Sequence, residues 1–137
     1  MTPPPERHRT SVELRVPLHD VDPLRVVWHG HYYKYFEVAR TELMRSRGVD
    51  EVAFCELGFR LYVVDARCRY LQPLRYDERF AVDAWFVDVD QRIQVAYEVR
   101  SLDAERRVAR GSTTLVTTDA EGRLLLETPD ALRAKLL

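Results

Sequence analysis

Cysteine is scarce in this chain: Cys55 and Cys68 are the only two, and no C-x-x-C pair occurs. Nothing in their spacing calls for a disulfide, and a reduced, cytoplasmic setting is expected. Cys68 lies in an alternating apolar row and reads as a small buried hydrophobe. Lysine is scarcer than arginine, at Lys34 and Lys135 alone, and the formal net charge is -1. With no basic block or stripe, nucleic acid is not an expected partner. No apolar run approaches the roughly 20 residues that span a bilayer, so no membrane span is expected. Met1 to His8 carries prolines and charges and lacks the apolar centre of a signal peptide.

What is present is an ordinary globular composition, 46% hydrophobic and 31% charged over 137 residues. A chain of this length forms one domain and buries roughly 70% of its unfolded surface. Residues 1–9, with Pro3 to Pro5, read as a disordered tail, and 10–137 as the single domain. Val12, Leu14, Val16 and Leu18 alternate with polar residues and Pro17, the pattern of a half-buried strand. His19 to Val27 is a loop with Asp22-Pro23 as its turn. From Gly30 to Arg47 the period becomes helical. Tyr32, Phe36, Ala39 and Leu43 form one stripe with Tyr35 and Met44 beside it, and Gly48 is the stop. At about 27 Å this helix crosses a small sheet. Val49 to Gly58 reads as an irregular or helical link.

Four strands follow in what reads as a meander. Their apolar rows are Tyr62, Val64, Ala66, Cys68 and Tyr70; Phe80, Val82, Ala84 and Phe86; Ile93, Val95, Tyr97 and Val99; and Val108 to Thr118. Leu124 to Leu126 adds a short strand edge. Pro129 to Leu137 is a terminal helix with Thr128 as its cap. One strand, one long apolar helix and a run of strands fit an α+β chain in which about five antiparallel strands curl around the helix. That is the hotdog architecture. Its open edge strand predicts pairing with a second copy, as a homodimer or a homotetramer.

The chemistry concentrates in Asp22-Pro23-Leu24-Arg25-Val26-Val27-Trp28-His29-Gly30-His31-Tyr32. A helix start carries free backbone N–H groups and partial positive charge, which polarise a carbonyl. A carboxylate just upstream can attack that carbonyl or deprotonate water. An Asp-Pro turn can also use its carboxylate merely to bond its own backbone. His29 and His31 raise the thought of a metal, with Asp20, Asp22 and His19 as further ligands. Positions i and i+2 of a helix point apart, however, so no metal site is expected.

The chain resembles acyl-CoA thioesterases of the hydroxybenzoyl-CoA thioesterase type, including the relatives associated with Tol–Pal envelope genes. The likeness runs through His19-Asp20-Val21-Asp22, Val26-Val27-Trp28-His29, Tyr32 and Phe36-Glu37-Val38-Ala39-Arg40-Thr41-Glu42. It continues more loosely through Arg75-Tyr76-Asp77 and Gly111-Ser112-Thr113, over roughly residues 11–130. The resemblance implies that Asp22 is catalytic and that the backbone N–H of His29 polarises the thioester carbonyl. It implies an acyl-CoA or acyl-carrier-protein substrate and no separate cofactor, coenzyme A being part of the substrate. Trp28-His29-Gly30-His31-Tyr32 is similar to thioesterases found with aryl-polyene or polyketide-like biosynthesis, which suggests a carrier-bound thioester. Trp28, His31 and Tyr32 are the expected substrate contacts. Arg25 stands where such relatives usually carry Gly. It either pairs with Asp22 or reaches an anionic part of the substrate, and substrate contact is the expectation. Two rival readings are a hotdog dehydratase and a non-catalytic acyl-binding module. The dehydratase relatives carry a His-Phe-Pro block, absent here, and a helical Glu, for which Glu37 on the polar face is the available residue.

Overall fold

The computed structural model describes residues 6–137. The elements in chain order are β1 (Arg7–Arg15), α1 (Tyr32–Ser46), α2 (Glu51–Leu57), β2 (Arg60–Tyr70), β3 (Arg79–Asp88), β4 (Ile93–Ser101), β5 (Arg107–Thr118) and α3 (Asp130–Leu136). The strands form one five-stranded antiparallel sheet in the order β1-β3-β4-β5-β2. This is the expected hotdog fold. No helix is long and apolar enough to cross a membrane.

Helix α1 follows its sequence pattern closely. Its buried residues are Tyr32, Tyr35, Phe36, Ala39, Leu43 and Met44, and Gly48 beyond its end has φ 71°. That stripe packs against the inner row of the sheet, where Phe80, Val82, Ala84, Phe86, Ile93, Val95, Tyr97 and Val99 are all buried. Phe36 stacks on Tyr97 at 4.4 Å with the rings 6° apart. The helix reaches the sheet this closely at Gly111, where a Cβ would sit 2.4 Å from the Arg67 carbonyl oxygen and 2.6 Å from the Phe36 ring.

Four expectations change. The meander is β3-β4-β5 only, because β2 lies beyond β5 at the sheet edge. The segment after β2 is pulled instead across the start of α1, where the Leu74 carbonyl accepts the Val27 N–H at 2.9 Å and Leu74 is fully buried. In β2 the pairing shifts between Val63 and Asp65. This bulge reverses the side-chain alternation, so Leu61, not Tyr62, joins Cys68 against the core. The tail expected over 1–9 falls partly on residues 1–5, outside the described residues, and Arg7 to Arg9 already belong to β1. Arg9 is held on the outer sheet face by Asp83, at 2.6 Å, and by the Trp85 ring, 4.5 Å from its guanidinium carbon. Thr128 does not cap α3. Pro129 occupies the cap position without a side-chain bond, and the buried Thr128 hydroxyl has no partner among the described residues. The Val49–Gly58 link contains α2, capped by Asp50 accepting the Ala53 N–H at 2.8 Å. Leu124 to Leu126 makes a single bridge to Thr118.

Gly111→Ala is expected to cost about 1–3 kcal/mol, because the backbone carbonyl that its Cβ meets cannot rotate away. Urea unfolding checks this, and an unchanged midpoint would show that the helix and sheet can separate without penalty.

Candidate active site

The loop between β1 and α1 is anchored by Asp20. This carboxylate is 1% exposed. It accepts hydrogen bonds from Lys34 Nζ at 2.6 Å and from the Tyr35 hydroxyl at 2.5 Å, both in the first turns of α1. Its backbone carbonyl accepts the Trp28 N–H at 3.0 Å. One residue thus ties the loop's beginning to its end and to the helix. Burial pushes its carboxyl pKa up, but the hydrogen bonds from Lys34 and Tyr35 outweigh this and hold it below the ordinary 3.8. The Tyr35 phenol is raised by burial and by donating to this carboxylate.

Asp22 sits in a tight turn. Its Oδ1 accepts the backbone N–H of Leu24 at 2.9 Å and of Val26 at 3.4 Å. Its own N–H and carbonyl pair with the Val26 carbonyl and the Arg25 N–H, each at 2.9 Å. The Asp-Pro turn is therefore made, but with one carboxylate oxygen. Oδ2 has no protein donor among the described residues. Arg25 closes the turn at φ 65°, in the left-handed region that a glycine adopts without strain.

Helix α1 begins through a single tight turn, His29–His31. The His29 N–H has no protein acceptor among the described residues, as expected for a helix start. The Tyr70 hydroxyl donates to the His29 carbonyl at 2.6 Å and so fixes the turn to the end of β2. The Trp28 ring lies over Gly30, 2.1 Å from where a Cβ would be, so a side chain there would push the ring aside. Asp22, Val27, His29, Tyr32, Tyr70 and Leu71 line one cleft of about 340 Å³. Burial pushes the Tyr32 phenol up to about 12, against a hydrogen bond from the Leu74 backbone. A larger cavity, of about 750 Å³, lies on the outer sheet face around Arg67 and Arg92, away from the helix start.

Of the expected site residues, Asp22, His29 and Tyr32 come together in the cleft. Trp28, His31 and Arg25 do not line it. Trp28 packs on the rings of His29 and His31. His31 turns inward, its Nε2 3.8 Å from Asp20. Arg25 is exposed and makes no ion pair with Asp22. Among the described residues no group of His, Cys, Asp and Glu converges as a metal site. Sequence reasoning missed Tyr70, which it counted as a member of an inward strand row. The one available signal was the position of Tyr70 at the strand's end.

Asp22, with one carboxylate oxygen free of protein donors, and His29, whose amide is unpaired at the helix start, both line this cleft. The Thioesterase-like superfamily model matches residues 16–136. The chain belongs to that family, and thioester hydrolysis is its class of reaction. It is 30% identical over 129 residues to a Synechocystis protein named "Putative esterase", with 93% of this chain and 78% of that protein covered. Its fold matches a hypothetical protein of Aquifex aeolicus at TM-score 0.84 and 26% identity, covering 93% and 99% of the two chains. It also matches a 1,4-dihydroxy-2-naphthoyl-CoA thioesterase of Synechocystis at TM-score 0.79 and 20% identity, covering 93% and 95%.

Two expected outcomes test this geometry. Asp20 has a lowered folded pKa, so its stabilisation is complete above the unfolded value of 3.8 and is lost as pH falls through the folded value. Asp20→Asn is expected to lose about 2 kcal/mol at neutral pH. Its melting temperature should then fall less than the wild type's on acidification below 3.8, and parallel profiles would contradict the anchor. Arg25→Gly is expected to be about 1 kcal/mol more stable than Arg25→Ala, because only the glycine relieves the left-handed strain. Equal thermal midpoints would count against strain at this turn.

Proposed function

We propose that the Asp22 cleft hydrolyses an acyl thioester carried by coenzyme A or by an acyl carrier protein. The observation that carries this reading is the placement of Asp22 and the free His29 N–H around one cleft. The thioester oxygen accepts from that N–H, within the field of the α1 start, and the negative charge developing on it is stabilised there. Asp22 Oδ2 then acts in one of two ways. It adds to the carbonyl carbon, the thiolate leaves, and water hydrolyses the mixed anhydride. Or it takes a proton from water, whose oxygen adds instead. Tyr70 and Tyr32 hold the helix start and the cleft wall. The dehydratase reading finds little support, because the exposed Glu37 lines a different cavity, beside Arg40 and Thr41.

The working unit is a homodimer or a dimer of dimers. Strand β2 pairs only with β5 and leaves its other edge open. Tyr62, Val63, Val64 and Tyr70 stay 44–55% exposed along it, more apolar surface than a lone edge strand tolerates. Tyr70 and Leu71 also line the cleft, so the site borders this edge.

A panel of acyl-CoAs with a thiol-detecting dye tests the activity. Asp22→Asn keeps an oxygen to accept the Leu24 N–H but loses the charge, and is expected to lower the rate on the order of 10²-fold or more. Near-normal thiol release from a folded variant would remove Asp22 from catalysis, and a chain that releases no thiol but binds acyl-CoA would be an acyl-binding module. Light scattering should show a dimer or larger species. An active monomer at assay concentration would contradict the proposed assembly.

A further inference from the structure

A second cavity, of about 450 Å³, opens between α1, α2 and the strands β2 and β5. Met44, Val49, Phe54, Leu61, Val63 and Leu115 give it apolar walls, and Glu37, Thr41, Arg45, Asp50 and Glu51 complete its lining beside Arg40. Its size is that of a small-molecule site. Arg40, from the middle of α1, reaches into its base. The guanidinium Nη1 donates to the Tyr97 hydroxyl at 3.3 Å and to the Thr113 hydroxyl at 3.4 Å, and those two hydroxyls bond each other at 2.7 Å. Tyr97 and Thr113 are buried and fixed in β4 and β5. Arg40 itself is half-buried. No carboxylate lies within salt-bridge reach of it among the described residues, although Glu37, Asp50 and Glu51 line the same cavity. A guanidinium offers five donors in a fixed plane, and here only Nη1 is engaged, by neutral oxygens. A half-buried cation without a counter-charge is costly, and a bidentate carboxylate satisfies it best.

In one copy this base lies far from the Asp22 cleft, about 12 Å along the helix from Tyr32. Two copies bring them together. Along β2, Tyr70 borders the Asp22 cleft while Leu61 and Val63 wall the Arg40 cavity. Antiparallel pairing of two β2 edges about their middle reverses the order. The Leu61–Val63 end of one copy then lies beside the Tyr70 end of the other. An acyl chain leaving the cleft across that edge meets the apolar walls first and Arg40 last.

Resting on the thioesterase reading and its dimer, we propose that Arg40 of one copy, backed by Tyr97 and Thr113, binds a terminal carboxylate of the acyl group whose thioester is hydrolysed at Asp22 of the other copy. The substrate class is an ω-carboxyacyl thioester. Arg40 is a specificity residue that touches the far end of the substrate.

The test compares succinyl-, adipoyl- and suberoyl-CoA with butanoyl-, hexanoyl- and octanoyl-CoA. At the best chain length the wild type is expected to favour the carboxylate-ended member by about 10-fold or more in kcat/KM, the scale of a charge-assisted bond. Arg40→Gln should collapse that ratio towards one, while Arg40→Lys keeps part of it. Mixing Asp22→Asn with Arg40→Gln chains makes heterodimers in which one site pairs an intact Asp22 with an intact Arg40 from the other copy. The preference should return in the mixture although neither homodimer shows it. Hydrolysis of all six substrates without preference overturns the Arg40 assignment and leaves the thioesterase reading standing. A preference that survives Arg40→Gln overturns it as well, and one lost in the variant but not restored by mixing overturns the trans arrangement. Because the wild-type ratio needs no variant, a poorly folding Arg40→Gln leaves the proposal exposed to refutation. A wild type that hydrolyses none of the six refutes the proposed substrate class, and the thioesterase reading falls only if the wider acyl-CoA panel also fails.

Discussion

The buried carboxylate of Asp20 is the constraint on which the site's geometry rests. A charge this deep is tolerable only when hydrogen bonds satisfy it. Lys34 and Tyr35 supply them from the first turns of α1. Because the carbonyl of the same residue holds the Trp28 N–H, the loop cannot move without unsatisfying a buried ion. Everything downstream inherits that rigidity: the turn around Asp22, the packing of Trp28 over Gly30 and the direction of the first helical N–H groups. Electrostatic stabilisation of a developing oxyanion depends on donors that need no reorganisation at the moment of reaction. In the proposed reaction the ion pair of Asp20 and Lys34 would remove that reorganisation without itself taking part in the chemistry.

The two carboxylates of Asp20-Val21-Asp22 show how environment divides roles between identical groups. Asp20 is enclosed, neutralised by Lys34 and saturated with donors. Asp22 has one oxygen held by backbone amides and the other left to the cleft. Only the second has a lone pair free for attack or proton removal. The strained Arg25 belongs to this arrangement, since the turn that points Asp22 into the cleft needs a left-handed residue at that position. Arginine meets that need at a local cost that glycine would avoid.

Much of this was legible in the sequence. The helical stripe of α1 was read almost residue for residue, because its period is sustained over several turns and no tertiary contact overrides it. The hotdog order followed from one helix between one strand and four. Asp22, His29 and Tyr32, picked from one short stretch of sequence, line one cleft. What failed has physical causes. A one-residue bulge at Val64 flips strand parity, and no local propensity marks it. The start of β1 was hidden because Arg7 to Arg9 are polar, and Arg9 is held by the Asp83 and Trp85 side chains of β3. Trp28 and His31 were expected against substrate because aromatic and imidazole groups at a helix start suggest contact. The structure spends them on each other and on Asp20. Tyr70 escaped notice because its role is made by a hydrogen bond between residues distant in sequence.

Strand β2 joins these observations. It is the sheet's open edge, it carries the tyrosine that fixes the helix start, and its other end walls the Arg40 cavity. An edge strand exposed on both faces is an aggregation hazard unless something pairs it. Pairing it with its own copy removes the hazard and reverses the strand's polarity across the twofold axis. The end that organises the acid then faces the end that lines the apolar cavity. In the proposed dimer a chain of this size would not need to build both parts of an acyl site within one copy's interior, because the symmetry that satisfies the edge would also supply the second part.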